Sequence, residues 1–154
     1  MAEGSIITDE LRAAIGVESE PSVFEIEKEA IRRWADAIGD ANPLYHDEEF
    51  ARQLGYRSII APLGFFPNYG YPVKIGKRKT NITSPLKRNL NGGGDVETYK
   101  PIQAGDIIYM TTKISDIYER EGRLGKMLFI VTEYVIRNQR GEIMSKAHHI
   151  GISY

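Results

Sequence analysis

The loop at residues 39–47 concentrates side chains that could do acid–base chemistry. It contains the carboxylate of Asp40, the amide of Asn42, the phenol of Tyr45 and the imidazole of His46. A carboxylate and an imidazole that are held together can activate a water molecule as a nucleophile. Because the chain has no cysteine and only three histidines, this loop is the first candidate for a catalytic site.

A structural role for the same residues is the alternative. Asp and Asn side chains often stabilise turns by accepting hydrogen bonds from nearby backbone N–H groups. In that case Asp40 and Asn42 shape the loop, Tyr45 packs, and His46 is a surface residue ahead of a helix. The residues of the loop leave both interpretations open.

Two predicted helices flank the loop. Apolar residues recur at helical spacing over Glu27–Ile38, and Gly39 follows as a helix end. Asp47 is a good N-cap for a short second helix through Leu54. A buried helix is also predicted over Pro62–Tyr71, because proline is favoured at the first helical position and the segment is apolar and aromatic.

The second half of the chain has the pattern of an antiparallel sheet. Turn residues separate four segments rich in Ile, Val, Tyr and Thr, which predict strands over Asp95–Tyr99, Asp106–Tyr118, Lys126–Asn138 and Ile143–Tyr154. The third of these strands is apolar on both faces, so we expect the helix near residue 65 to cover one face and a second subunit the other. The whole predicts an α+β fold in which the sheet wraps around a long central helix. We expect a single domain over residues 1–154, with an irregular segment at 1–20.

Several short motifs, taken in order, resemble the MaoC-like hydratase and dehydratase family, which has a hot-dog fold. More closely, they resemble the N-terminal-type MaoC dehydratase domain of the larger subunits of mycobacterial hydroxyacyl-carrier-protein dehydratases. The motifs are Gly39-Asp40-Ala41-Asn42-Pro43-Leu44, Phe50-Ala51, Leu54-Gly55-Tyr56, Ile60-Ala61-Pro62-Leu63, Tyr99-Lys100-Pro101-Ile102 and Gly105-Asp106. The resemblance covers most of the chain from about Val23 onward.

The resemblance implies reversible hydration of a 2-enoyl thioester. In active members an Asp and a His five residues later hold the water, and backbone N–H groups at the start of the central helix, here Leu63 and Gly64, bind the thioester oxygen. This sequence departs from the pattern, because Tyr45 stands five residues after Asp40 and His46 comes one place later. Either a one-residue bulge lets His46 point into the site, or Tyr45 occupies the imidazole position and this chain is not the catalytic one.

These two cases imply different partners. In the first, Asp40 and His46 activate water, Asn42 shapes the loop, and no metal or redox cofactor is needed, since coenzyme A or phosphopantetheine enters as part of the substrate. In the second, the chain is a non-catalytic acyl-binding subunit that stabilises a smaller, active MaoC-like partner. A hot-dog acyl thioesterase is a further alternative. We expect a homodimer or a heterodimer with the smaller subunit.

Aromatic residues after the predicted oxyanion donors either belong to the core or line an acyl tunnel; they are Phe65, Phe66 and Tyr69. Residues 50–94 contain eight lysines and arginines and no acidic residue. Within them, Lys77, Arg78 and Lys79 form either a solvated loop or an electropositive rim for the phosphates of coenzyme A or for an acidic acyl carrier protein.

Other partners are not favoured. The net charge is −1 and no nucleic-acid-binding motif is present. No apolar run approaches the roughly 20 residues that span a bilayer, and no secretory signal is apparent, so we expect a cytoplasmic protein. Adjacent strand residues face opposite sides, so His148 and His149 cannot readily share a metal ion. Gly92-Gly93-Gly94 lacks the spacing of a phosphate loop and predicts a loop or a bulge where a strand begins.

Overall fold

The computed structural model describes residues 4–123 and 125–154, except for the side chain of Tyr69. In this part of the chain the α-helices are α1 (Asp9–Ala14), α2 (Lys28–Ile38) and α3 (Glu48–Gln53). The strands are β1 (Ser22–Glu25), β2 (Tyr71–Lys74), β3 (Asn89–Thr98), β4 (Ile107–Gly122), β5 (Gly125–Arg137) and β6 (Ile143–Ser153).

The six strands form one sheet in the order β2-β1-β4-β5-β6-β3, and every neighbouring pair is antiparallel. The long strands β4, β5 and β6 occupy its centre, while β2 and β3 are its edges. The α+β class and the four predicted strands are confirmed, although the first of the four, β3, begins at Asn89 and not at Asp95. The short strands β1 and β2 were not predicted.

The prediction of a helix over Pro62–Tyr71 is wrong. The backbone of residues 62–71, which the structure describes throughout, forms a turn and a single 3-10 turn at Pro67–Tyr69. Gly64 has a φ of +84°, a left-handed conformation that ends any helix begun at Pro62. At the end of the sheet near this segment, the helix that packs on the sheet is α2, which buries Ala30, Ile31 and Ala35.

One face of the sheet is covered at both ends. At one end α2 and residues 59–65 pack on Ile108, Met110 and Ile136 of the central strands. At the other end α1 and residues 82–86 pack on Ile114, Ile117 and Leu128. The segment between β2 and β3 therefore crosses this face from one sheet edge to the other. On the opposite face, stacked side chains of Tyr118 and Phe129 remain half-buried or exposed.

The predicted helix ends near the loop are confirmed. Gly39 follows α2 with a φ of +71°, and its N–H donates to the backbone oxygens of Ala35 and Asp36. The Asp47 side chain caps α3 by accepting hydrogen bonds from the backbone N–H groups of Glu49 and Phe50. The N-terminal segment 1–20 is not wholly irregular, because Thr8 caps the short helix α1.

Candidate active site

A cavity of about 290 Å³ lies between the loop, the segment at residues 60–65 and the approach to β4. Its walls include Tyr45, residues 98–102 and Val96 of the edge strand β3. The segments are joined by backbone hydrogen bonds, from Ile60 N to Leu44 O at 3.0 Å and from Ala61 N to Ile102 O at 2.8 Å. A cavity with apolar walls and a few polar groups is typical of a small-molecule binding site.

The loop at residues 39–47 directs Tyr45 toward this cavity. Asp40 Oδ1 accepts a hydrogen bond from the backbone N–H of Asn42 at 3.0 Å, and Asn42 Oδ1 accepts one from Leu44 N at 3.0 Å. Asn42 thereby caps a 3-10 turn at Pro43–Tyr45. Asp40 and Asn42 therefore stabilise the turn through hydrogen bonds with the backbone. This turn sets the position of the Tyr45 phenol.

Tyr45 is a half-buried phenol whose pKa is raised. Burial is the main cause, the negative charge of Asp40 adds to it, and a hydrogen bond with the Asn42 side chain opposes it. A phenol with a raised pKa stays neutral at physiological pH. Tyr45 can therefore donate a hydrogen bond in the cavity but is a poor general base.

His46 does not line this cavity. Its Nε2 lies 3.0 Å from the backbone oxygen of Asp40, and since a carbonyl only accepts, we assign the proton to Nε2. The other ring nitrogen, Nδ1, lies 4.0 Å from a carboxylate oxygen of Asp36. The ring lines a separate surface depression together with Asp36, Asp40 and Asp47. The imidazole and the Asp40 carboxylate are therefore not arranged to share a water molecule in the Tyr45 cavity.

Leu63 and Gly64 both line the cavity, as the resemblance requires of oxyanion donors. Phe65 N donates to Pro62 O at 3.1 Å, which closes a tight turn around the two residues. Among the described residues, which exclude the side chain of Tyr69, neither the Leu63 nor the Gly64 N–H donates to another protein group. Two unpaired amides of one turn can bind an oxygen that carries negative charge.

Of the other residues predicted to bind substrate, the structure places only some at this cavity. Phe65 lines the cavity, whereas Phe66 packs edge-on against Tyr134 with ring centroids 5.3 Å apart and does not line it. The side chain of Tyr69 lies outside the described residues. The basic cluster formed by Lys77, Arg78 and Lys79 is not part of this cavity, and Arg78 and Lys79 line spaces at the opposite end of the sheet face.

Sequence reasoning missed the wall formed by β3 and the turn after it. Val96 and Thr98 face the cavity, as does Tyr99, whose hydroxyl donates to Glu97 Oε2 at 2.7 Å. That hydrogen bond is the main cause of the raised pKa of Tyr99. The alternation of β3 residues could have indicated which side chains share a face, but not that this face meets the loop.

In the described ranges, no group of three or more His, Cys, Asp or Glu side chains is placed to hold a metal ion. His148 and His149 lie on opposite faces of β6, as predicted, because their partners Asp95 and Gly94 alternate along β3. No helix in the described ranges is long and apolar enough to cross a membrane.

The sheet order is that of the hot-dog fold, and solved structures of MaoC-like dehydratases share this fold. One such neighbour is the C-terminally truncated HadBC (3R-hydroxyacyl-ACP dehydratase) complex of Mycobacterium tuberculosis. It superposes with a TM-score of 0.68 over 91% of this chain and 97% of that chain, at 22% identity. The chain belongs to the family described as FAS1-like, dehydratase domain region, which it matches over residues 13–146.

Two relatives are similar in sequence. A UPF0336 protein of Mycobacterium leprae is 30% identical over 129 residues, which are 83% of this chain and 79% of the relative. A probable enoyl-CoA hydratase alpha subunit of Thermomonospora curvata is 30% identical over 129 residues, but these are 75% of this chain and 40% of that longer protein. The family and the fold are thus those that the motifs predicted.

Proposed function

We propose that this chain is the acyl-binding subunit of a MaoC-like enoyl-thioester hydratase or 3-hydroxyacyl-thioester dehydratase, and that a partner subunit supplies the catalytic imidazole. The cavity holds the acyl chain, the Leu63 and Gly64 amides receive the thioester oxygen, and the Tyr45 hydroxyl donates a hydrogen bond to the bound ligand. No metal or redox cofactor takes part.

The observation that carries the proposal is the placement of Tyr45 and His46. The neutral phenol occupies the cavity with the two free amides, while His46 uses Nε2 to bind the Asp40 carbonyl. Water addition needs a base near the reacting carbon. A cavity with oxygen-binding donors but no base fits a subunit that binds the thioester and leaves proton transfer to its partner.

The edge strand β3 supports a partner at this site. All ten of its residues are exposed, and Val96, which is 51% exposed, belongs to the cavity wall. A long edge strand with unpaired backbone groups is a ready surface for strand pairing. A subunit that paired with β3 would cover the open side of the cavity and bring its own side chains to the acyl thioester. The HadBC complex and the alpha-subunit name of the longer relative are consistent with such an assembly.

Activity measurements on separate and mixed chains test this proposal. The full chain and a smaller MaoC-like chain from the same genome, with His five residues after Asp, are each purified and then combined. Hydration of short-chain and long-chain 2-enoyl-CoA substrates is monitored as the loss of the conjugated double bond. We expect no activity from this chain alone, and activity in the mixture that exceeds that of the smaller chain alone on longer acyl groups.

Variants in the loop separate the two interpretations. His46→Gln keeps a donor for the Asp40 carbonyl, so the mixture should retain its rate. Tyr45→Ala should raise KM for long acyl groups, because it removes a cavity wall. Hydration by this chain alone that is lost in His46→Gln would overturn the proposal. Release of free thiol from acyl-CoA would instead indicate the thioesterase alternative.

A further inference from the structure

Two residues with hydroxyl groups lie next to each other on the sheet wall of the Tyr45 cavity. Thr98 of β3 pairs directly with Ser145 of β6, and both residues line the cavity. Ser145 also pairs with the buried Ile136 of β5, so its side chain faces the covered side of the sheet. Because directly paired residues of antiparallel strands have Cβ atoms about 5 Å apart, one ligand atom can contact both hydroxyls.

Both hydroxyls are available to a ligand in the cavity. Neither the Thr98 nor the Ser145 side chain makes a hydrogen bond with a group of the described residues. The thioester end of the substrate is assigned to other groups, the amides of Leu63 and Gly64. A plain alkyl chain placed against the two hydroxyls would exclude water from them without replacing its hydrogen bonds, which costs free energy. This wall is therefore more polar than an unsubstituted acyl chain requires.

The charges around the cavity favour a neutral polar group on the ligand. Lys100 is the only charged residue among the described residues that line the cavity, and its Nζ binds Glu142 Oε1 at 2.6 Å. A carboxylate on the acyl chain would therefore meet a cation that already has an anionic partner. Two neighbouring hydroxyls can donate one hydrogen bond and accept another at the same time, which matches the hydrogen-bonding groups of an alcohol.

We propose that Thr98 and Ser145 form a subsite for a hydroxyl group on the acyl chain, so that the substrate is a hydroxylated acyl thioester and not one with a plain alkyl chain. The inference rests on the proposed function, because it assigns the acyl chain that the same cavity holds. This hydroxyl is separate from the one that forms or leaves when water is added or removed. Thr98 lies on the exposed edge strand β3, so a subunit that pairs with this strand closes the subsite to solvent.

Calorimetric titration of the full chain with unreactive, saturated acyl-CoA ligands tests the subsite. Ligands with a terminal hydroxyl, from butanoyl to octanoyl length, are each compared with the isostere in which a methyl group replaces the hydroxyl, such as 6-hydroxyhexanoyl-CoA with heptanoyl-CoA. An apolar wall would bind the methyl ligand more tightly at every length, because burial of a methyl group is favourable and burial of an unpaired hydroxyl is not. We expect instead that the hydroxyl ligand binds about tenfold more tightly at the length that reaches Ser145.

Substitutions at the two hydroxyls should reduce this preference. Ser145→Ala and Thr98→Val should each lower the ratio of the two affinities about fivefold, as expected for the loss of one hydrogen bond. Ser153→Ala is the matched control for Ser145→Ala. Ser153 lies on the same strand and is 5% exposed, compared with 6% for Ser145, and neither it nor its hydrogen-bond partner Asn89 lines the Tyr45 cavity. The control should leave the preference unchanged, with thermal denaturation as the check on folding.

Two results would overturn the subsite while the proposed function stands. One is a methyl ligand that binds as tightly as the hydroxyl ligand, or more tightly, at every length. The other is an equal change of the preference in Ser145→Ala and Ser153→Ala. Failure of the proposed function would differ from both, because no acyl-CoA would then bind more tightly than coenzyme A itself, and that result would remove the subsite as well.

Discussion

At the scale of single residues, the carboxylate of Asp106 holds the turn that forms one cavity wall. It is 2% exposed and accepts hydrogen bonds from Arg57 at 2.9 Å, from the backbone N–H of Gln103 at 2.9 Å and from Gln139 at 3.2 Å. Asp106→Asn keeps the shape but loses the charge that strengthens these bonds. We expect the free energy of unfolding to fall by about 2 kcal/mol, measured by urea denaturation.

Asp116→Asn is the control for this prediction. Asp116 lies exposed on the same strand, β4, and makes no side-chain hydrogen bond within the described ranges. It should change the free energy of unfolding by less than about 0.5 kcal/mol. Equal losses in the two variants would mean that the buried network contributes nothing specific.

The sequence allowed us to identify the residues of the loop, but not the direction in which each side chain points. Because Asp40, Asn42, Tyr45 and His46 are close in sequence, the loop could be recognised without coordinates. Which of Tyr45 and His46 enters the cavity depends on a 3-10 turn and on a hydrogen bond from the imidazole to a backbone carbonyl. Residue spacing does not encode either feature.

At the scale of elements, the glycines at residues 92–94 fit β3 against β6. The register shifts between Asn91 and Gly94, so the bulge lies inside β3 and not where the strand begins. A Cβ on Gly94 would lie 2.1 Å from the backbone oxygen of His148, so no side chain fits without moving the strands apart. Gly94→Ala should therefore destabilise the protein by about 2 kcal/mol, within the range for overpacking.

Urea denaturation and hydrogen exchange of β3 amides measure this effect. Leu90→Ala is the comparison on the same strand, since Leu90 is exposed and its substitution leaves the backbone spacing unchanged. Gly94→Ala should accelerate exchange along β3 and β6, whereas Leu90→Ala should not. Unchanged exchange in Gly94→Ala would contradict the tight approach of the two strands.

A row of charged side chains crosses four strands on the exposed sheet face. Lys113 binds Glu133 at 2.9 Å, and His148 lies 3.6 Å from Glu133 and 3.0 Å from Asp95. The hydrogen bond to Asp95 is the main cause of the raised pKa of His148, and the charge of Glu133 adds to it, while burial opposes the shift. The protonated ring therefore stabilises the pairing of β3 with β6.

This contribution has a definite dependence on pH. A folded-state pKa above the unfolded value gives stability that is complete below about pH 6.5 and is lost as the pH rises through the folded-state pKa. The side chain is 37% exposed, so we expect only about 0.5 kcal/mol. Urea denaturation between pH 6 and pH 8.5 should show this loss in the wild type and in His149→Gln, but not in His148→Gln. A loss that persists in His148→Gln would assign it to another group.

Elements with a strong repeating pattern were predictable, and elements that depend on distant contacts were not. The strands β4, β5 and β6 have long apolar or alternating patterns, whereas β1 and β2 have four residues each and β2 contains Pro72. The segment at residues 62–71 was predicted as a helix from its apolar residues, but Gly64 has a left-handed backbone conformation that a helix excludes. Its apolar residues include Phe65, which packs in the core from a turn.

At the scale of the whole molecule, the order of the strands brings together parts that the sequence keeps far apart. The crossing segment between β2 and β3 spans the sheet, so its basic residues lie at one end of a face and the Tyr45 cavity at the other. The predicted rim of Lys77, Arg78 and Lys79 is therefore not part of the Tyr45 cavity. The charge pattern of the sequence identifies the basic segment, but its position relative to this cavity depends on the topology.

The two edges of the sheet allow a controlled test of assembly. Val96 on β3 is 51% exposed and Val73 on β2 is 58% exposed, so Val96→Glu and Val73→Glu place the same charge on opposite edges. If a MaoC-like partner pairs with β3, the buried carboxylate of Val96→Glu costs at least about 1.4 kcal/mol and weakens the complex at least tenfold. Analytical ultracentrifugation of the mixed subunits measures this, with thermal denaturation as the check on folding. Val73→Glu should leave the complex intact, and equal weakening by both variants, or by neither, would remove β3 as the partner surface.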